Sequence, residues 1–232
     1  MRAPISVVIP TLNAANQLPD TLRHLMPGLG EGLIRELVIS DGGSTDATQR
    51  LAAEVGAKWL EGPAGRGGQL QRGVAAASGD WLLMLHADTH LGAGWTQAVV
   101  AHLEAHPDKA GFFRLGFREH GMAPRMVAGG ANLRARLCDM PFGDQGLLIS
   151  RALYQKMGGY PDIPLMEDVV LARALKGRLR PLPAVALTGA ERYRENGWIG
   201  QSARNLWRRA RFRHGADPAD LARGYDPDRN TQ

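Results

Sequence analysis

The sequence predicts an α/β fold with a doubly wound, mostly parallel sheet, on the strength of three observations. Short apolar runs alternate with segments of helical length from Ile5 to Leu85. The run Trp81-Leu82-Leu83-Met84-Leu85 is apolar without alternation, as a strand covered by helices on both faces must be. The runs also end in turns rich in Asp, Gly and His, and open α/β sheets bind ligands at the C-terminal ends of their parallel strands.

Ile5 to Pro10 is a first strand, stopped by proline, and Thr11-Leu12-Asn13 a turn. A helix from about Gln17 to Met26 ends at Pro27-Gly28. Leu33 to Ser40 is the second strand, followed by Asp41-Gly42-Gly43-Ser44-Thr45-Asp46, whose glycines permit a tight turn close to a ligand. Ser44 or Thr45 is placed to cap a helix reaching Val55. Ala57 to Leu60 is a short strand, residues 62–68 a glycine-rich loop, and Gln69 to Ala77 a helix. The central run follows, tipped by His86, Asp88, Thr89 and His90.

Beyond it the pattern predicts helices over Ala93–His106 and Arg151–Met157, a small-residue-rich helix or helix-loop over Ala123–Leu137, and strands over Gly111–Phe117, Gly146–Ser150 and Leu179–Leu187. Pro164 opens a helix that contains Glu167 and Asp168 and ends near Gly177. Gln201 to His214 is a basic helix with one stripe of Ala203, Leu206, Trp207 and Ala210. That stripe docks it on the body; phosphate binding or attachment to anionic membrane are the alternatives. The tail after Asp217 is polar and expected to be poorly ordered.

The 232 residues form one domain without a disulfide or metal staple, since such a chain buries roughly 70–75% of its unfolded surface. Residues 4–110 make a nucleotide-binding half, 111–200 an acceptor-side half, and 201–232 the basic helix and tail. A single cysteine, Cys138, and no apolar leader or spanning run point to the cytoplasm, with peripheral contact at the inner face of the membrane through residues 201–214. A net charge of +5 and a pI near 9.8 favour anionic partners. Only 6% aromatic residues, with no aromatic platform, speak against nucleic acid.

Asp41 and Asp88 fall just past the ends of strands on one sheet edge. One carboxylate there can accept from a base or ribose while another holds a divalent metal on a diphosphate. Each alone also reads as an ordinary turn residue. Arg66 and Arg72 are phosphate or ribose contacts if the Gly65-Arg66-Gly67-Gly68 loop faces the site. Glu167-Asp168 suits the helix dipole, and also a general base. Asp144, in Phe142-Gly143-Asp144-Gln145, is a second candidate. His102 and His106 read as a solvated pair.

Val7-Val8-Ile9-Pro10-Thr11-Leu12-Asn13, Asp41-Gly42-Gly43-Ser44-Thr45-Asp46, Gly79-Asp80 through Thr89, and Glu167-Asp168 together resemble the successive motifs of family 2 glycosyltransferases with a GT-A fold. The likeness runs from residue 4 to about 200. It is strongest to a bacterial subgroup labelled arsenosugar-biosynthesis-type, with Leu-His-Ala-Asp-Thr and Pro-Leu-Met-Glu-Asp. The resemblance implies inverting transfer from a nucleotide-diphosphate sugar, most often a UDP sugar, to an acceptor hydroxyl, with Mn²⁺ or Mg²⁺ on the diphosphate.

By position, Pro10, Thr11 and Asn13 line the base pocket and Asp41 accepts from the base. Gly43, Arg66, Gln69, Arg72 and Ala87 complete the donor contacts. Asp88 matches the last Asp of Asp-x-Asp and Asp168 the catalytic base, with Glu167 beside it. Asp144 and Gln145 fall on the acceptor side. His86 stands where the family has the first Asp, and its softer imidazole suits Mn²⁺ better than Mg²⁺. A nucleotidyltransferase and a non-catalytic sugar-nucleotide sensor are the rival readings. The first would carry a Gly-rich loop with Lys or Arg nearer the N-terminus; the second would tolerate loss of Glu167-Asp168.

Overall fold

The computed structural model describes residues 3–223. In chain order the first half holds β1 (Ile5–Thr11), α1 (Leu18–Gly30), β2 (Ile34–Asp41), α2 (Thr48–Glu54), β3 (Lys58–Glu61), α3 (Arg66–Ala76) and β4 (Trp81–Met84). The second half holds β5 (His90–Leu91), α4 (Trp95–Ala105), β6 (Ala110–Phe117), α5 (Met122–Cys138), β7 (Leu147–Ser150), α6 (Arg151–Lys156), α7 (Glu167–Ala174) and β8 (Leu179–Thr188). Helices α8 (Glu191–Asn196), α9 (Trp198–Arg213) and α10 (Pro218–Arg223) follow.

One eight-stranded sheet has the order β3-β2-β1-β4-β7-β6-β8-β5. The first four strands are parallel, with Val8 of β1 opposite both Val38 and Met84. β7 enters antiparallel to β4, with Met84 opposite Leu147, and antiparallel to β6. β6 therefore runs in the sense of β4, and β8 runs parallel to β6. Adjacent residues of the central strands face opposite layers. Val7, Ile9 and Leu83 pack with Leu18, Leu25, Trp95 and Val99 on one side. Val8, Leu82 and Met84 pack with Leu70, Val74, Leu153 and Leu171 on the other. Burial on both faces is why these strands read as unbroken apolar runs.

The doubly wound front half agrees with the sequence expectation, and the departures are local. Helix α1 runs through Pro27 to Gly30; Gly28 lies under the Trp95 indole, where a Cβ would stand 2.4 Å from the ring. Neither Ser44 nor Thr45 caps α2: Asp46 accepts from the Thr48 amide (3.0 Å) instead, and Ser44 turns back to Asp41. Helix α7 begins at Glu167 rather than Pro164, because Met166 sits at φ +70 and cannot be helical. His102 is buried against Trp81 rather than solvated, and its ring nitrogen pairs with the Lys109 carbonyl at 3.2 Å. Part of the tail expected to be poorly ordered forms α10, held by buried Leu221; residues 224–232 lie outside the described ones.

The glycine-rich loop is also reassigned. Arg66, Gly67 and Gly68 form the first turn of α3, and Gly67 donates its amide to the Ile163 carbonyl at 3.1 Å. A Cβ at Gly67 would stand 2.1 Å from the Pro161 carbonyl oxygen and 2.6 Å from that of Ile163. These glycines serve a close helix-to-loop approach, not flexibility. Gly67→Ala is expected to cost about 1–3 kcal/mol, lowering Tm by about 2–4 °C per kcal/mol in a chain of this size. Thermal denaturation checks this: an unchanged Tm would show that the 161–163 backbone yields freely.

The basic helix departs most. Its stripe does not dock. Leu206 and Trp207 are exposed, and the inward side carries Gln201, Asn205, Arg209 and Phe212. Gln201 Oε1 accepts from Asn196 and its Nε2 donates to Asn205, both at 3.0 Å. Arg209 covers the Phe142 ring at 4.9 Å. The surface beneath offers polar partners and an aromatic face, which the polar side of α9 satisfies and the apolar stripe could not.

Candidate active site

The C-terminal edge of β1, β2 and β4 is assembled by Asp41. Its Oδ1 accepts from the hydroxyls of Thr11 (2.7 Å) and Ser44 (2.5 Å), and its Oδ2 from the amides of Gly43 (2.7 Å) and Ser44 (2.6 Å). Those four bonds occupy the carboxylate's acceptor capacity. Asp41 thus holds the loop, with Gly43 at φ +95 to close it. Asn13 (φ 50) stitches the neighbouring turn to the same loop, its Oδ1 accepting from the Thr45 amide at 2.9 Å.

Gln69 is buried beneath this edge. Its Nε2 donates to the carbonyls of Thr11 (2.7 Å) and Ser40 (3.0 Å), tying the ends of β1 and β2 to α3. Arg72 Nη2 donates to the Asp41 carbonyl at 2.9 Å and to Pro63 at 3.2 Å. Gln69 and Arg72 are therefore engaged with the backbone. Pro10, Asn13, Gly43 and Arg66 keep exposed surface at the edge.

Past β4 the chain turns through His86-Ala87-Asp88. Thr21 donates to the Ala87 carbonyl at 2.7 Å, and Arg118 Nη1 to the Asp88 carbonyl at 2.7 Å. Asp88 Oδ2 accepts from the Thr188 hydroxyl at 3.0 Å. Arg118 and Thr188 follow β6 and end β8, whose C-terminal ends lie at this same edge. His86 lies against Gly143, where a Cβ would stand 2.5 Å from Nε2. Burial, with Arg66 nearby, pushes the imidazole down to about 3, so it is neutral across the physiological range. Among the described residues no group of three or more His, Cys, Asp or Glu converges as a metal cage. One carboxylate and one neutral imidazole, two residues apart, fit only a cation whose other ligands are phosphate oxygens and water.

The antiparallel entry of β7 brings residues 143–145 to this edge. The Gly143 amide donates to Asp168 Oδ2 at 2.9 Å, and Asp168 Oδ1 accepts from the Val169 amide at 2.7 Å. Buried Gln145 locks the turn by donating to the Phe113 carbonyl at 3.1 Å. Met166, left-handed immediately before Glu167-Asp168, is the kind of backbone outlier that surrounding structure must enforce. Arg134 of α5 and Arg209 of α9 both lie over the Phe142 ring, at 3.8 and 4.9 Å from its centroid. Both guanidiniums feel Asp144 and Asp168, and burial brings Arg134 down to about 10.

Two carboxyls here are perturbed. Burial lifts Asp144 to about 6, partly offset by Arg134, and its Oδ1 has no hydrogen-bond partner. Glu167, 1% exposed, is lifted to about 8 by burial and by the Asp168 charge, against the pull of Arg66, whose Nε lies 3.7 Å from Oε1. A carboxyl raised in the fold keeps a proton that the unfolded chain has released. Stability therefore falls as pH rises from about 4.5 to about 8 and is level above. Glu167→Gln is expected to remove that slope. Relative to wild type the variant should gain more than about 1 kcal/mol, about 2–4 °C in Tm, between pH 5 and pH 9. Parallel Tm–pH curves for the two proteins would contradict the assignment.

The structure thus groups Asp88, His86, Asp144, Glu167, Asp168 and Arg66 at one edge, with Asp41, Gln69 and Arg72 as its framework. Sequence reasoning missed Arg118, Thr188, Arg134, Phe142 and Arg209. Thr188 and Arg118 sit one residue beyond predicted strand ends, which was the available signal. Nothing local marks Arg134 or Arg209 among the other arginines of their helices.

The model of glycosyl transferase family 2 matches residues 6–125, just over half of the chain. Glucosyl-3-phosphoglycerate synthase of Mycolicibacterium smegmatis is 36% identical over an aligned length of 93 residues, in a match that covers 36% of this chain and 30% of that protein. The chain therefore spans under a third of this relative's length. The fold is similar to that of the mannosyltransferase PcManGT from Pyrobaculum calidifontis in complex with GDP-Man and Mn²⁺ (TM-score 0.66, 19% identity, 94% of this chain and 67% of that one). It is also similar to glucosyl-3-phosphoglycerate synthase from Mycobacterium tuberculosis in complex with Mn²⁺, UDP and phosphoglyceric acid (TM-score 0.56, 22% identity, 80% and 69%). These likenesses identify the GT-A fold.

Proposed function

Since the chain belongs to glycosyl transferase family 2, we propose that it moves a sugar from a nucleoside-diphosphate donor to an acceptor hydroxyl, with inversion at the anomeric carbon. The observation that supports this most is the placement of Asp168. Two backbone amides orient its carboxylate at the same edge as Asp88 and the strand-end loops.

The acceptor hydroxyl attacks the anomeric carbon from the face opposite the diphosphate. Asp168 takes its proton as the new C–O bond forms, and the bond to the diphosphate breaks with its electrons leaving on the nucleoside diphosphate. The Gly143 and Val169 amides stabilise the carboxylate as base and hold it in place. Asp144, Arg134 and Arg209 shape the acceptor side. The edge loops at Pro10–Asn13 and Gly43, framed by Asp41, receive the base, with a UDP sugar as the favoured donor. Asp88 and the neutral His86 would hold a divalent cation, Mn²⁺ before Mg²⁺, which when bound neutralises charge developing on the leaving diphosphate. Arg66, in the first turn of α3, adds positive charge to that side. Residues 85–89 and 164–168 support a place in the arsenosugar-biosynthesis-type subgroup.

The test is product analysis with UDP-glucose, UDP-N-acetylglucosamine and GDP-mannose, each with Mn²⁺, Mg²⁺ or chelator. Release of nucleoside diphosphate above the enzyme-free rate is expected with at least one donor. Thermal stabilisation by nucleotide without release would support the sensor instead, and release of pyrophosphate from a nucleoside triphosphate would support the nucleotidyltransferase.

A further inference from the structure

Helices α5 and α9 run side by side on the outside of the acceptor half. Near their starts, Trp198 of α9 and Val127 and Ala128 of α5 share one apolar cluster; at their ends, Cys138 and Arg213 line one depression. Each turns an apolar stripe to solvent. On α5 it is Met122, Met126, Leu133 and Leu137, with Met126 69% and Leu137 75% exposed. On α9 it is Ile199, Leu206 and Trp207, with Ile199 88% and Trp207 58% exposed. Such residues at helical spacing, all outward, are not the scattered single exposures of an ordinary surface.

The charge on the two helices themselves has one sign. The two helices carry three and five arginines and no acidic residue. Arg125, Arg136, Arg204 and Arg211 are exposed beside the stripes, and Arg211 lies over the Trp207 ring at 4.8 Å. The shared depression, about 420 Å³, is lined by three cations, Arg173, Lys176 and Arg213, and one acid, Asp139, whose Oδ2 accepts from the Gly177 amide at 2.8 Å. A second copy of this chain would meet the face with its own arginines and be repelled. An apolar face edged by arginines and aromatic surface fits the boundary between headgroups and acyl chains of an anionic leaflet.

We infer that the outer faces of α5 and α9 form a composite docking surface for an anionic phospholipid bilayer, with the cationic depression receiving phosphate headgroups. Docking lays the stripes in the interface plane. It also sets Arg134 and Arg209, on the inner sides of the same helices, just behind the membrane surface. The inference rests on surface chemistry and does not depend on the transferase reading.

The experiment is flotation of the full chain with vesicles of phosphatidylcholine alone or with about 30% phosphatidylglycerol, at low and high salt. Binding to the anionic vesicles is expected to exceed binding to neutral ones at least about tenfold and to fall with salt. Leu133→Glu with Leu206→Glu, at exposed positions, should abolish binding while leaving Tm unchanged. Arg204→Glu with Arg211→Glu should weaken it on its own and keep the apolar stripes intact. Equal or absent binding to the two vesicle types overturns the inference. So does retention by Leu133→Glu/Leu206→Glu, or a dimer in sedimentation equilibrium that this variant dissociates without any lipid binding.

Discussion

Asp168→Asn is expected to lower the turnover of sugar transfer about 100- to 10,000-fold, the usual worth of a positioned general base. Nucleotide affinity should stay within about threefold of wild type, because no donor-side group changes. Both carboxylate oxygens accept from backbone amides, those of Gly143 and Val169. An asparagine can satisfy only one of them with its carbonyl, and its NH₂ then faces the other N–H. A stability loss on the order of 1 kcal/mol should accompany the kinetic one. That loss is too small to unfold the chain, so calorimetry separates the two effects. Wild-type turnover in the variant would remove Asp168 from the role. Asp144 would then be the group to test, since burial and its unpartnered Oδ1 already set it apart.

Asp88→Ala is expected to carry the second largest effect, a loss of about 100- to 1,000-fold in transfer together with loss of any stimulation by Mn²⁺. The backbone at Asp88 should survive the change. Arg118 binds its carbonyl rather than its carboxylate, and Thr21 holds the preceding carbonyl. Only the Thr188 hydroxyl loses an acceptor. Isothermal titration of UDP with and without Mn²⁺ reads the effect directly: wild type should bind more tightly with the ion and the variant should not. Equal affinity of both proteins under both conditions would mean that Asp88 contributes nothing to a metal. Thr188→Val adds a milder probe. It leaves Asp88 present but unguided, and should cost turnover while retaining Mn²⁺ stimulation.

Much of this arrangement was legible in the residues themselves. An unbroken apolar run such as Trp81–Leu85 is what a strand buried on both faces requires, and short apolar runs alternating with helical segments let β1, β2 and β4 be read as strands of one parallel sheet. Their C-terminal ends then had to share one edge. That logic puts the Asp41 loop and Asp88 together without any knowledge of contacts, and the periodicity of α7 puts Asp168 near its start. The same local reading failed at residues 65–68 and along α9. Gly67 and Gly68, which read as part of a loop in sequence, open α3 and let it pack against the 161–163 segment. An apolar stripe that looks like a docking face points outward because its helix found polar partners.

The sequence by itself determined the strand–helix order, the front edge of the sheet and the residue types able to do chemistry there, because these follow from periodicity and from turn residues over a few positions. Only the tertiary structure decided that β7 enters antiparallel and delivers Gly143 to Asp168. It alone brings Thr188 to Asp88 across a separation of 100 residues and places both Arg134 and Arg209 against the Phe142 ring. The reason is physical. Period and capping are short-range preferences of the chain, whereas strand partners and helix faces are chosen by which distant surfaces satisfy one another, and no local pattern records that choice.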